Sequence, residues 1–375
     1  MATDVFFYHR VALRLYGVTL PGDVGSRRWL LYLADFYLVF AQVCSLAWTA
    51  LLFRGAYLYT LEDFMNRVIG VTAGVSLVGS VTKFYFFRTR NRQLKELMDE
   101  LTGLPCDTER GRLVMKVVKF YVFCVLMIIL THNLHPLYEP FHRTTPYYTR
   151  RIGGPWQEVL PDYAFGLYAA CVVLPGNVIG DTLFLLLASQ LSHRLYLLAK
   201  TTSRLGATGD LITTEGTVTD ESLLRSCIQE HNHLIRLKEK LQDLFSIIIL
   251  GQLLYSFMDT CITLFAVSQA KNMAEALKEL LPQFISLFLE IFLYCWGGEM
   301  INTHFGKLHK STYESDWYNA PPRVRSSLLV MQTFTSKPVD IQATIFKFNF
   351  KFYETICRET FSYYTIMYQF FNQKK

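Results

Sequence analysis

The residues best placed to do chemistry lie near the C-terminus. Between Ala343 and Phe371 one series of polar positions is Lys347, Lys351, Glu354, Arg358, Ser362, Thr365 and Gln369, continued by Asn372. Their spacings of three and four residues place them within a sector of roughly 80° on one helix face. The other positions are mostly Phe, Tyr, Ile and Met. A membrane helix with one continuous polar stripe faces either a bundle interior, where it makes polar contacts, or a water-filled path. The stripe runs from charged at its start to neutral at its end. One helix cannot enclose a pore, but several copies around an axis can.

Other chemistry-bearing residues point elsewhere. Asp181, Asp259 and Glu290 stand alone in long apolar stretches, where a carboxylate is costly and needs a partner or water. The reading for Asp181 is an inter-helix contact. His231 and His233 are two apart and face different sides of a helix, so they make no metal face. His132 and His135 sit at an expected helix end before Pro136. None of the eight cysteines forms a C-x-x-C pair, which argues against a zinc or redox site. G-x-S-x-G, H-E-x-x-H and Gly-rich phosphate loops are absent, and an enzyme is not expected. No metal, cofactor or nucleic acid is expected.

These residues must be held by membrane helices. The 375-residue chain is 51% hydrophobic and only 18% charged, below the roughly 25% of soluble domains. A bilayer crossing takes about 20 mostly apolar residues. Seven stretches qualify: Leu30–Phe53, Val68–Phe87, Phe120–Tyr138, Tyr163–Leu187, Leu244–Val267, Leu280–Asn302 and the shorter Thr360–Gln373. The N-terminal segment and the even-numbered intervals hold 28 of the 37 Lys and Arg, the other side nine. The bias predicts a cytoplasmic N-terminus and an extracellular C-terminus. That orientation, with no D-R-Y or N-P-x-x-Y motif, disfavours a G-protein-coupled receptor. No inverted repeat supports a small-solute transporter. Ser189–Leu205 and Ser222–Phe245 extend spans four and five as amphipathic helices, with Thr219, Asp220 or Ser222 as N-cap of the second. Tyr313–Pro322 reads as a linker, followed by a short helix over Arg323–Thr335. An intracellular helical anchor bundle is expected from these pieces.

Ser362-Tyr363, five residues, then Gln369-Phe370 resembles the T-Y-x5-Q-F signature in the last helix of insect chemoreceptors, with Ser for Thr. Gly298–Trp317, the R-x-R at Arg323–Arg325 and the S-K-P-V of Ser336–Val339 are similar to the C-terminal region of insect odorant receptors. The detailed resemblance covers about the last ninety residues, the rest matching in layout. It implies a ligand-gated non-selective cation channel, tetrameric around a pore lined by the last helix. It also implies a co-receptor subunit as partner, this chain being an odorant-tuning subunit because its 188–243 interval is too short for the co-receptor. By the same resemblance the gate falls on Ile366, near Gln369 and Phe370, although Ile366 lies about 80° from the centre of the polar stripe.

The family places a small volatile ligand between spans two, three, four and six, in the outer half. Mapped onto this chain, the expected ligand-binding residues are Ile69, Gly70, Ala73, Leu77, Leu130, Phe165, Gly166, Tyr168, Ala169 and Phe288, apolar and aromatic walls with small notches. For each of them ordinary helix packing is the competing explanation. The expected pore and gate residues are Glu354, Arg358, Ser362, Thr365, Ile366, Gln369 and Phe370. The organisation that follows is an all-α polytopic membrane protein. It comprises a cytoplasmic amphipathic segment (1–29), six transmembrane helices with cytoplasmic extensions (30–302), a cytoplasmic linker with an anchor helix (303–342), and a pore-lining helix with a short tail (343–375). The expected location is the plasma membrane of a sensory neuron, with membrane lipid around the helices. A homomeric gustatory-type relative is the alternative.

Overall fold

The computed structural model describes residues 6–15, 18, 20, 28–58, 64–102, 109–138, 174–206, 211–213, 216–269, 273–337 and 339–372. Its helices are α1 (Phe7–Leu15), α2 (Arg28–Leu58), α3 (Phe64–Thr89), α4 (Asn91–Leu101), α5 (Glu109–Tyr138) and α6 (Leu174–Thr202), then α7 (Asp220–Gln269), α8 (Met273–Glu314), α9 (Pro322–Thr335) and α10 (Phe350–Asn372). Two small antiparallel pairs interrupt them: β1 (Leu211–Thr213) with β2 (Gly216–Val218), and β3 (Gln342–Ala343) with β4 (Phe346–Lys347). Predicted spans one, two, three, five and six fall within α2, α3, α5, α7 and α8; the fourth, Tyr163–Leu187, is described only from Leu174, in α6, and its first part lies outside the described residues. The seventh begins in α10, and its final residue, Gln373, lies outside the described residues. Judged by length and hydropathy alone among the described residues, three helical stretches can cross a membrane: Val178–Thr202, Asp220–Leu264 and Phe284–Glu314.

The centre of the bundle is α6. Its run Leu183–Ala188 is apolar on every side and buried throughout, as a helix hydrophobic all round must be. It packs against α1, α3, α4, α5, α7 and α8. Close approach to α3 is possible because Gly176 has no side chain: a Cβ there would lie 2.1 Å from the Phe84 ring. Phe184 meets both Phe245 of α7 and Tyr294 of α8 at 5.3 Å between ring centroids.

The two longest helices run well past any bilayer. At 1.5 Å per residue α7 spans about 75 Å and α8 about 63 Å, against roughly 30 Å of hydrocarbon. Thr219 is the N-cap of α7: its Oγ1 accepts from the Ser222 N–H at 3.4 Å, and Asp220 and Glu221 in the first turn oppose the helix dipole. The outlying parts of α6, α7 and α8 share one core with α4 and α9, through Leu94, Leu97, Leu198, Leu234, Leu237, Leu308 and Leu328. His231 sits in this region against the Phe305 ring, and burial lowers its pKa. The chain leaves α6 through Gly206 at φ +83°, where a Cβ would collide with the Asp316 carbonyl oxygen at 2.1 Å. That contact, with Asp316 N donating to Leu205 O at 3.0 Å, fixes the 315–321 linker against the end of α6.

The amphipathic N-terminal segment contributes α1. Phe6 and Leu13 are buried, while Phe7 and Tyr8 point outward. Arg10 pairs with Asp99 at 2.6 Å. His9 Nε2 lies 3.0 Å from Thr182 Oγ1 on α6. The Thr182 hydroxyl donates to Val178 O, so His9 donates from Nε2 and leaves its buried Nδ1 without a partner.

One prediction fails locally. The expected single helix from Ala343 starts later, because 342–347 forms a hairpin that turns at Thr344 with φ 57°. Lys347 is therefore not on the polar stripe of the last helix. It lies in β4 and pairs with Asp340 at 3.0 Å. Phe348 N closes the hairpin by donating to Ile341 O at 3.0 Å, and α10 begins only at Phe350.

Candidate ligand site and conduction path

Four helices expected to surround a ligand, α3, α5, α6 and α8, meet at one buried ionic cluster. Lys83 Nζ of α3 lies 2.7 Å from Asp181 Oδ1 of α6 and 3.2 Å from Glu290 Oε1 of α8. Tyr121 OH of α5 donates to Asp181 Oδ2 at 3.1 Å, and Tyr294 OH of α8 donates to Asp181 Oδ1. Lys83 is 3%, Asp181 0% and Glu290 6% exposed, so water reaches none of the three groups. The one ammonium lies between the two carboxyls and the tyrosine hydroxyls donate to Asp181, which supplies the partners that burying ionisable groups at membrane depth requires.

Sequence reasoning foresaw that Asp181 and Glu290 need partners, and an inter-helix contact for Asp181. It did not join them to Lys83, Tyr121 and Tyr294. The available signal was one Lys and two carboxyls, each in a different span. The third intramembrane acid, Asp259, is also buried. It interacts with Tyr255 on the same helix, and Tyr255 reaches Ser76 of α3. Asp35 of α2 pairs with Arg88 of α3, both part-exposed.

The expected ligand residues distribute as follows. Leu77 is buried on α3, six residues before Lys83, or about 9 Å along the helix. Phe288 is half-buried on α8 and packs against Phe284 with ring centroids 4.7 Å apart. Ile69, Gly70 and Ala73 lie on α3 and Leu130 on α5, and their side chains are outside the described residues. Phe165, Gly166, Tyr168 and Ala169 fall wholly outside them. Helices α3, α6 and α8 run parallel, since Gly176 meets Phe84 where Gly180 meets Phe87, and Asp181 meets Tyr294 where Ala188 meets Gly297. The α3 and α8 candidates thus lie on the N-terminal side of the cluster.

On α10 the stripe residues face outward, while Thr360 is buried. Lys351, Glu354, Arg358, Ser362 and Gln369 are exposed, and Thr365 is half-exposed with its hydroxyl donating to Phe361 O at 2.9 Å. Ile366 is 60% exposed, so the gate position taken from the resemblance is as open as the stripe beside it. Phe370 has no described side chain. Arg358 Nε is 3.7 Å from Glu359 Oε1, and Lys351 and Glu354 are one turn apart. With Lys347 removed to the hairpin, this part of the helix is close to charge balance.

The start of α10 is held by α8. Phe292 stacks on Phe350 at 6.0 Å and meets Tyr353 edge-on at 5.6 Å. Glu299 Oε2 accepts from Phe350 N at 3.2 Å. At Gly298 a Cβ would lie 2.0 Å from Phe348 O, so the absent side chain is what allows the two backbones to touch. Among the described residues no group of His, Cys, Asp and Glu has metal-binding geometry.

Long apolar helices, a buried ionic cluster and an outward polar stripe on the last helix are the architecture of a polytopic helical membrane protein. The family model described as 7tm Odorant receptor matches residues 68–361, well over half of the chain, and the protein belongs to that family. Its members are odorant-gated cation channels of the cell membrane, not enzymes. Among curated relatives, Odorant receptor 85b of Drosophila melanogaster is 24% identical, covering 91% of this chain and 90% of its own length. Odorant receptor 33a of the same species is 22% identical over 77% of this chain and 79% of its own. The fold is that of the olfactory receptor OR5 from Machilis hrabei, solved alone and in complex with eugenol. The eugenol complex has a TM-score of 0.76 at 16% identity, covering 96% of this chain and 97% of that one. The unliganded form gives 0.75 at 17%, with 96% of each chain covered.

Proposed function

We propose that this odorant-gated channel subunit tunes a heteromeric tetramer built with a co-receptor subunit, with α10 of each chain around a central cation path. The observation that carries the reading is the outward stripe on α10. Within the span Thr360–Gln373, Ser362 and Gln369 stand exposed and continue the charged face of Lys351, Glu354 and Arg358 that precedes it; a continuous polar face of this kind favours a water-filled path over lipid, and Ile366 beside it supplies a hydrophobic constriction that gates by excluding water. A second surface supports assembly. Leu329, Val330 and Phe334 of α9 and Ile345 of the hairpin are exposed apolar residues, Phe334 at 66% and Ile345 at 80%. They lie outside the predicted spans, where lipid tails do not cover them, and a neighbouring subunit would. The near charge balance of α10 around Arg358 and Glu359 removes an electrostatic objection to cation flow.

In this reading the N-terminus is cytoplasmic, the protein resides in the plasma membrane of a sensory neuron, and the odorant binds in the outer half among Ile69, Gly70, Ala73, Leu77, Leu130, Phe165, Gly166, Tyr168, Ala169 and Phe288. The ligand is a small hydrophobic volatile, and a phenolic ring such as eugenol is a suitable first probe. The test is whole-cell current in cells expressing this chain with and without a co-receptor, against the co-receptor alone, with Ser362→Cys added. Odorant-evoked cation current that needs both chains, and that an impermeant thiol reagent blocks in Ser362→Cys, is expected. Current from this chain alone overturns the heteromer. Insensitivity of Ser362→Cys in conducting channels overturns the pore assignment.

A further inference from the structure

The ionic cluster is more than helix packing requires, since apolar residues of similar volume would hold the same helices at no desolvation cost. Its placement suggests what it does. We propose that Lys83, Asp181 and Glu290 form the coupling node through which the helices around the ligand space act on α10, with Glu290 as the positioning residue. The inference rests on the channel reading and deepens it.

The cluster holds one ammonium for two carboxyls, on three different helices. Asp181 also receives two phenol hydroxyls, from Tyr121 and Tyr294. The ammonium, 2.7 Å from Asp181 and 3.2 Å from Glu290, can therefore move toward Glu290 without stranding Asp181. Because the ammonium bonds both carboxyls at once and Glu290 also hydrogen-bonds Asp181, a small helix movement can give up the Lys83–Glu290 contact while Asp181 stays paired, which makes the cluster an element that helix movement can bias. On α8, Glu290 and Tyr294 are four residues apart and share the face turned to the cluster. Phe292 and Glu299 stand about 200° and 180° away at 100° per residue, and both touch the first turn of α10. Turning or shifting α8 to change the Glu290–Lys83 distance displaces Phe350 and the helix it begins. A ligand on the N-terminal side of the cluster that separates or closes α3 and α8 is thereby felt at the pore.

A coupling residue changes the closed–open equilibrium for every agonist alike, whereas a ligand contact changes agonists unequally. The experiment uses the full chain with a co-receptor subunit, and the co-receptor alone as reference. The readouts are surface labelling, basal sodium current (the part lost when N-methyl-D-glucamine replaces external sodium), and responses to eugenol, 1-octanol and pentyl acetate. For Glu290→Gln the ratio of basal to maximal current should change by about fivefold or more. The half-maximal concentrations of the active probes should move by one common factor. Tyr294→Phe, which removes one hydroxyl and no charge, should produce the same pattern at smaller size, and it decides the matter alone if Glu290→Gln does not reach the surface. Normal surface levels with an unmoved basal ratio and unmoved half-maximal concentrations overturn the proposal, as do probe-dependent shifts, which would make Glu290 a ligand contact. A wild-type chain adding no current to the co-receptor overturns the channel reading, and the node with it.

Discussion

Replacing Gly298 by Ala tests the α8–α10 junction with a single methyl group. The added Cβ would lie 2.0 Å from Phe348 O, 3.0 Å from Phe348 C and 3.3 Å from Phe348 Cβ. An ordinary contact is about 3.5 Å, so the oxygen is too close by about 1.5 Å. It belongs to the backbone and cannot rotate away, and Phe348 N is itself tied to Ile341 O. Overpacking of this kind costs about 1–3 kcal/mol, against about 1 kcal/mol gained when a helical Gly becomes Ala. Gly306 is the internal control, on the same helix with nothing within 4 Å of a built Cβ; there only the propensity gain applies. The two variants should therefore differ by the steric cost, about 1–3 kcal/mol, with Gly298→Ala the less stable. At about 2–4 °C per kcal/mol for chains of 150–250 residues, and less for longer ones, the separation is a few degrees. Heating detergent extracts and following the folded peak by fluorescence-detected size exclusion measures it. A Gly298→Ala melting temperature equal to or above that of Gly306→Ala refutes the close approach and the claim that α8 positions the start of α10.

Three further outcomes follow from other residues. Burial pushes the His9 pKa down to about 4, below its unfolded value near 6.5, so the unfolded chain takes the proton first. Stability should be unaffected above pH 7 and fall as pH drops from 6.5 toward 4, by about 2 kcal/mol between pH 7 and 5; His9→Gln, which can still donate to Thr182, should flatten that slope in melting curves. Lys83→Met leaves Asp181 and Glu290 without their cation and should cost about 3–5 kcal/mol. Adding Asp181→Asn removes one negative charge, so the double variant should survive heating better than the single, and a double variant worse than the single would contradict the ion pairing. Ala73→Leu should shift the preferred odorant toward smaller members of an ester series; an unchanged rank order of responses would remove Ala73 from the pocket.

What the sequence made legible was whatever repeats along a helix. Apolar stretches located the spans, and three-and-four spacing located the outward face of α10, where Lys351, Glu354, Arg358, Ser362 and Gln369 stand exposed. Thr219 was one of three candidate caps for α7, and only geometry separates it from Asp220 and Ser222, because all three side chains can accept an N–H. Contacts between distant helices left a fainter trace. Lys83 and Asp181 are 98 residues apart and Lys83 and Glu290 207; the charges showed that partners were needed but not which. The tyrosines that complete the cluster carry no charge and look like any other aromatic in an aromatic-rich chain.

Lys347 shows where periodicity misleads. It fits the stripe as well as Lys351 does, four residues away, and nothing between them forbids a helix. Hairpin formation there depends on long-range partners: Gln342 N donates to Gln242 Oε1 at 3.2 Å, Lys347 reaches Asp340, and Phe348 is buried where Gly298 leaves room for its backbone. These contacts outweigh a local helical preference, which is worth only tenths of a kcal/mol per residue. The consequence is functional as well as structural. Because α10 begins at Phe350 and not at Ala343, its first turn sits on Phe292 and Glu299, two and nine residues along α8 from Glu290. Had the helix begun seven residues earlier, that turn would lie about 10 Å away along the axis, beyond the reach of either side chain.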